Sequence, residues 1–561
     1  MLCAPALWGG LQTEDYAQGD AARALPWFSN LFGLPHSSPW ANYLAKDQGA
    51  LPWIASPHLD IAFWRPIASL THQIDWALWP AHPWLMHLHS ILWLVATLLL
   101  CALLYRRLLE PAWVAGLATL LFAVTDGHAL AVSWVANRNA LVGAVFALLA
   151  LLAHDAWRRR GFWPGALLAP LCLLLGLASN ELTVGIAGYF VAYALSIDRA
   201  RFHRRLLANL PWLAVALAWA ALYRLAGYGA HGSGVYLDPL GQPLAFLTAL
   251  PRRFSGLALG LLAGPASSLW YLALGHAWGV ALGAAFLVLF AAAVAPLLRQ
   301  NARARFWAIG MLLSTLPACA AGTSDRLLIL PGVGAFALIA ELVGAWVDRS
   351  PALPRDRRWR VPVLLLGGEL LLMHMLLSPV LLPVRELLLD PYEAVLDQAR
   401  GAAYDGLRSP AEDVVVLDAP DYYFGTLLVS TRIARGEPVA LHTRVLYGGF
   451  GTITVTRVGP RTLRVRAPHG FLQSPFDRVY RSASEPMHAG HGLQLSGAQI
   501  VVVEATARGE PTSIDFRSAR PLDELRIIAW NGHAYARFPL PPVGASRVMP
   551  RFTPSLLGPL L

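Results

Sequence analysis

The 561-residue chain has a single lysine, Lys46, and arginine supplies the other 43 of its 44 basic side chains. Only 14% of residues are charged, against about 25% in an ordinary soluble domain. This shortage excludes a wholly water-exposed fold. Cysteine is equally sparse: Cys3, Cys101, Cys172 and Cys319 are scattered, with no CxxC and no Cys/His spacing of a metal site. Neither a disulfide framework nor a zinc centre is expected. Met1–Trp8 is apolar but short and has no basic start, so it is not expected to be a cleavable leader.

What is present is apolar surface. Hydrophobic residues make up 56% of the chain, mean hydropathy is +0.48, and there are 21 tryptophans. That composition calls for a bilayer, with indoles at its interfaces. A formal net charge of +10 could indicate nucleic acid. Here the arginines sit in short loops between apolar runs, which reads as membrane topology, with no nucleic-acid partner.

A spanning helix needs roughly 20 mostly apolar residues. Ten candidate spans lie near 84–105, 112–125, 139–157, 163–179, 184–197, 208–226, 271–297, 305–321, 327–347 and 361–382. The basic stretches Arg106–Arg107, Arg158–Arg160, DRARFHRR, RQNARAR and DRSPALPRDRRWR all follow odd-numbered spans. The positive-inside rule puts that side in the cytoplasm. The register requires 243–265, with Arg252 and Arg253 near its start, not to cross but to lie at the interface or re-enter.

Three regions follow. Residues 1–83 form an outer-face loop region carrying an acidic motif, 84–382 a transmembrane helical domain, and 391–561 an outer, β-rich soluble domain. Within the last, TITVTRVGPRTLRVRAP reads as a hairpin turning at Gly-Pro-Arg. The Pro-rich tail PPVGASRVMPRFTPSLLGPLL reads as loosely ordered. The expected fold is therefore a multi-spanning α-helical membrane protein with a C-terminal β-rich domain.

Polar residues near membrane depth are rare and mark functional positions. On the outer side these are Glu14, Asp15, Asp60, Arg65, Asp75, His87, Asp126, His128, Arg138, Glu181, Asp325 and Arg326. Asp60 and Asp325 read first as loop charges or helix-end pairs. His72, His82 and His89 read as interfacial.

The stretch DIAFWRPIASLTHQIDWALWPAHPWLMHLHS, with Arg65-Pro66, Asp75, Trp79 and the Pro83-to-His87 spacing, resembles the GT-C glycosyltransferases. It is most similar to the bacterial, TPR-associated branch related to protein O-mannosyltransferases. LFAVTDGHALAVSWVANRN resembles the next element of that family through Asp126, His128, Trp134 and Arg138, with Asp126-Gly127 in place of a His-Pro. LASNELTVG keeps Glu181 but has Asn180 for a lysine, and SDRLLILPGVG keeps Arg326 but lacks two tyrosines. Ser90 stands where the family has Asn. The likeness covers roughly residues 9–382, and the C-terminal domain does not match TPR arrays.

The resemblance implies a catalytic carboxylate in the first outer loop, which TEDY supplies as Asp15 with Glu14 beside it. It also implies a full helix ahead of this loop, so the expectation is a start further upstream. Arg138, Arg326, Arg65 and His128 would hold the donor phosphate, and Asp75, His87, Asp126 and Glu181 would support them. The implied activity is an inverting hexosyl transfer from a polyprenyl-phosphate sugar to an outer-face glycan, lipid or protein. It would take place at a bacterial inner membrane, with the active face periplasmic and membrane lipids as surroundings. No resident cofactor is expected, although a divalent cation between Asp15 and the phosphate is compatible. A transport protein for envelope lipid or glycan and a non-catalytic assembly factor are the alternatives.

Overall fold

The computed structural model describes residues 2–12, 14–33, 39–264, 276–387, 413–434, 436–449, 451–473, 477–532 and 534–550. Six of its helices are long and apolar enough to cross a membrane: Pro83–Leu108, Val135–Arg160, Phe202–Leu225, Ala277–Gln300, Ile329–Val347 and Arg357–Leu387. A seventh crossing is broken, with Ala112–Val124 and Asp126–Ser133 meeting at 47°. Each of the ten expected spans contains a helix, and among the described residues six, or seven with the broken one, are long and apolar enough by themselves to cross. Gly165–Leu177 and Ile186–Ser196 are only 13 and 11 residues long, too short to bridge a hydrocarbon core of about 30 Å at 1.5 Å per residue. The chain is a multi-pass helical membrane protein with a β-rich C-terminal domain.

The helix Pro243–Leu262, expected not to cross, is not among the crossing helices. Its Arg253 turns inward and donates to the carbonyls of Cys319, Ala321 and Val235 at 2.8–3.0 Å. A guanidinium thereby satisfies carbonyls left open where Ala302–Ala318 ends.

Ahead of the first crossing lie α1 (Glu14–Ala24), α2 (Pro39–Gln48) and α3 (Pro66–Leu78), followed by the crossing helix α4 (Pro83–Leu108). The acidic pair Glu14–Asp15 sits in the first turn of α1 and Arg23 in its last, which suits the helix dipole at both ends. Gly19 lets α1 press onto α3, because a Cβ there would lie 2.3 Å from Trp76. Leu11, Tyr16, Trp76, Met86 and Val135 close this small core.

The C-terminal domain has two sheets. Strands β3 (Asp413–Val416), β4 (His442–Val445) and β10 (Arg526–Trp530) are parallel in the order β10-β3-β4, with β11 (Tyr535–Arg537) antiparallel at the edge. The helix Tyr422–Ala434 crosses from β3 to β4, so this half is an α/β unit and not purely β. The other sheet is antiparallel in the order β12-β5-β6-β9-β8-β7. The expected hairpin is β5 (Ile453–Gly459) and β6 (Thr462–Arg466). The strands β7 (Gly492–Leu495), β8 (Ala498–Ala505) and β9 (Pro511–Ser518) complete it with β12 (Ser546–Met549). That last strand lies in the tail expected to be loose, and it pairs with β5. The expected domain boundary at 391 and the tail beyond 550 fall outside the described residues.

The expected division at residue 83 cuts through a shared core. Leu51, Trp53, Ile54, Ala55 and Leu59 are buried with the strands of the C-terminal domain. Trp53 Nε1 donates to the Leu446 carbonyl at 2.8 Å, and the Ser496 N–H donates to Asp47 at 2.8 Å. The segment ahead of the first crossing helix is therefore half membrane-domain cap and half C-terminal-domain core. β1 (Asp60–Ala62), paired with β2 (Gly229–His231), marks the changeover and accounts for Asp60.

Candidate functional site

The broken span opens the backbone at Thr125–His128, and the loop Trp134–Arg138 follows. Unwound backbone at this depth is tolerated where it is buried in protein or lines a cavity. The turn Asp126–His128 packs on the turn Asp325–Leu327, and Val135–Arg138 meets α1 and, through Val135 on Trp76 and Arg138 on Asp75, α3.

Asp15 is only 2% exposed. Its Oδ2 accepts the Gln12 N–H at 3.0 Å, and its Oδ1 accepts the Ala136 N–H at 2.6 Å. Burial raises its pKa to about 7, against the lowering effect of those two N–H groups. Each carboxylate oxygen keeps one further lone-pair direction. Glu14 is exposed and couples electrostatically to Tyr480 of the C-terminal domain. The two members of the pair thus face different surroundings.

The loop holding Asp15 also carries two other groups. Arg138, fully buried, donates from Nε to Ser90 Oγ at 2.9 Å and from Nη2 to the Met86 carbonyl at 2.7 Å, and it pairs with buried Asp75. Trp134 lies under the Arg326 guanidinium at 5.2 Å. Arg326 is half-buried, and no ion pair engages it among the described residues. The Trp134 indole N–H is buried there without a partner among the described residues.

His89, expected to be merely interfacial, belongs to the Asp75 cluster. Trp93 donates to its Nε2 at 3.0 Å, so its proton is on Nδ1, which reaches Asp75 Oδ1 at 2.7 Å. The spacing His89–Trp93 could have shown this, since i and i+4 share a helix face. His87 lies between the carbonyls of Val132 and Gly10 at 3.1 and 3.3 Å and ties the segment before α1 to the broken span.

Arg65 does not reach this cluster. It stacks on Phe32 and Phe63, and its Nε donates to Glu181 Oε2 at 2.9 Å. Asn180, where the family has lysine, caps the turn by accepting the Leu182 N–H at 2.8 Å.

A third group was not legible in the sequence. Arg385 Nη1 lies 2.6 Å from Asp126 and 3.1 Å from Asp325, and Ser378 Oγ donates to Asp126 at 2.9 Å. Arg385 comes from the last turn of the final span, some 250 residues after Asp126. Asp325 is therefore not a loop charge but one of the two carboxylates of a buried triad. His128 donates from Nε2 to the Phe122 carbonyl at 2.7 Å. Among the described residues no set of three His, Cys, Asp or Glu side chains is arranged to hold a metal ion.

No known family model matches the chain, and no curated protein matches it. Among solved structures it is similar to the archaeal oligosaccharyltransferase AglB from Archaeoglobus fulgidus, in complex with an inhibitory peptide and a dolichol-phosphate. The identity is 14% and the TM-score 0.36, over 76% of this chain and 63% of that one. The chain thus spans less than two thirds of that structure's length.

Proposed function

We propose that the protein is a membrane glycosyltransferase of GT-C type that moves a sugar from a polyprenyl-phosphate donor to an acceptor glycan, lipid or protein at the outer face of a bacterial inner membrane. The observation that carries this reading is the loop Trp134–Arg138. It binds the Asp15 carboxylate through Ala136, and it places Trp134 beneath Arg326. A buried base and an unpaired cation are joined by one short piece of backbone.

Asp15 takes the proton of the acceptor hydroxyl as that oxygen attacks the anomeric carbon, and Glu14 faces the acceptor side. A carboxylate with a pKa near the working pH suits this task. The departing phosphate gains charge and is held by Arg326, with the Trp134 N–H as a second donor. Arg can bind phosphate bidentately and is always charged. Arg138 is bound by Asp75, Ser90 and Met86, so it positions the loop and does not hold the phosphate directly. Arg65 and Glu181, held to one another, brace α3 against the turn at 181. One base acting on one face gives inversion at the sugar carbon.

The alternative reading, a transport or assembly protein without catalysis, draws on the same burial of Asp15. A carboxylate satisfied by two N–H groups can serve as a structural clamp. Complementation of a deletion strain with wild type or Asp15→Asn, at equal membrane levels and equal thermal stability, separates the two. The expected outcome is loss of the sugar-bearing product by about 10²–10⁴-fold, read by mass spectrometry of envelope glycans, glycoproteins and lipids. Full product from Asp15→Asn would defeat the general-base assignment.

A further inference from the structure

Next to the phosphate group lies a small cavity of opposite character. It is lined by Thr125, Asp126, His128 and Asp325, and walled by Phe122 and Phe336. It has free room for a single water-sized group. His128 is 1% exposed and its Nδ1 has no hydrogen-bond partner among the described residues. Its Nε2 faces a carbonyl oxygen, which can only accept, so Nε2 carries the proton. Nδ1 of the neutral ring is then a lone-pair acceptor. Asp126 and Asp325 are acceptors as well, both held by the guanidinium of Arg385. The polar side chains of this cavity therefore favour a ligand that donates hydrogen bonds and disfavour an anion.

The neighbouring group is the reverse. Arg326 and the Trp134 N–H are donors, and Arg326 follows Asp325 directly in the chain. Arg326 lines a second small cavity with Asn180 and Thr183, and the two cavities share Ile329 as a wall. We infer that Asp325 and Arg326 sort the two halves of the donor headgroup: Arg326 takes the phosphate, and the cavity of Asp126, His128 and Asp325 takes one hydrogen-bond-donating substituent of the sugar, a hydroxyl or an ammonium. His128 is then a specificity-determining residue for the sugar and not a phosphate ligand. This rests on the glycosyltransferase reading for the donor's identity, but its test does not depend on turnover.

The test measures binding by calorimetry to the full chain in lipid nanodiscs. The probes are a short-chain polyprenyl phosphate, bare or carrying glucose, mannose, galactose or 4-amino-arabinose. Wild type is expected to bind at least one sugar-bearing lipid about tenfold or more tighter than the bare phosphate, because a buried acceptor discriminates against a missing donor. The hydroxyl-only and amino sugars separate the two donor types. His128→Phe is expected to abolish that ratio and leave affinity for the bare phosphate unchanged. His128→Gln, which offers an amide acceptor, restores part of it and guards against misfolding of the first variant. Arg326→Gln should weaken bare and sugar-bearing lipids alike.

The inference is overturned if no sugar improves binding, or if both His128 variants weaken bare and sugar-bearing lipids equally. Sugar-dependent binding without any transfer in cells would instead remove the enzymatic reading and leave the subsite standing.

Discussion

Asp15 sets the pH behaviour expected at the scale of single residues. With its pKa raised to about 7 by burial, the carboxyl proposed as the base would be half-ionised near neutrality. The ratio kcat/KM should rise with pH through an apparent pKa near 7 and fall about tenfold per unit well below it; a flat profile between pH 5 and 8 would argue against Asp15 as base. The stability sign is the opposite. The folded protein holds this proton more tightly than the unfolded chain, so its contribution is full below about pH 4 and is lost as pH rises through 7. Phe28 offers a second residue-scale test. It adopts φ +67°, held by its N–H to Gln73 Oε1 at 2.9 Å and by Gln73 Nε2 to the Pro26 carbonyl at 2.8 Å. A left-handed backbone costs a side-chain-bearing residue roughly 1–2 kcal/mol, so Phe28→Gly should raise thermal stability in detergent by about 1 kcal/mol after the entropic loss at glycine. The acidic pair and its place in the chain were legible as residues. Its partner Ala136 was not, because a backbone N–H has no sequence signature.

At the scale of elements, the contact of α1 on α3 and the Asp126–Arg385–Asp325 triad govern the site. Gly19→Leu must displace Trp76, which a Cβ would approach to 2.3 Å, and this should tilt α1 and pull Asp15 from Ala136. Activity is expected to drop more than tenfold with little change in protein level, measured on the same product as for Asp15→Asn. Arg385→Met leaves two buried carboxylates without their cation. Such a break costs about 3–5 kcal/mol, visible as a lowered unfolding temperature in detergent, and Arg385→Met with Asp126→Asn and Asp325→Asn should recover most of it. The last span was readable from its apolar run, whereas α1 and α3 were read only as part of a loop region. The pairing of Arg385 with two turns far back in the chain depends on how the last span packs, which local pattern does not encode.

The whole molecule is held together by a loop that serves two cores. Trp53 is buried among C-terminal strands and bonded to the Leu446 carbonyl. Truncating a buried Trp costs about 3–5 kcal/mol, so Trp53→Ala should make the C-terminal domain cleavable by protease added to nanodisc-embedded protein, while the spans stay protected. If the domain is as resistant as in wild type, residues 39–62 are a passive strap. α1 and this segment belong to the same stretch ahead of the first crossing helix, and Glu14 interacts electrostatically with Tyr480 across the junction.

The sequence by itself determined that the chain is a multi-spanning helical membrane protein with a β-rich end, and where its costly polar residues lie. Long apolar runs, arginine placement and alternating strands are local properties, and the bilayer makes them decisive. Only the tertiary structure decided which of those residues meet. It broke one span at Thr125, put Asp15 on Ala136, enlisted His89 and Arg385, and built residues 39–62 into the far domain. Those outcomes depend on close approach between distant segments, where a hydrogen-bond donor, a guanidinium or an indole finds whatever partner the packing leaves nearest.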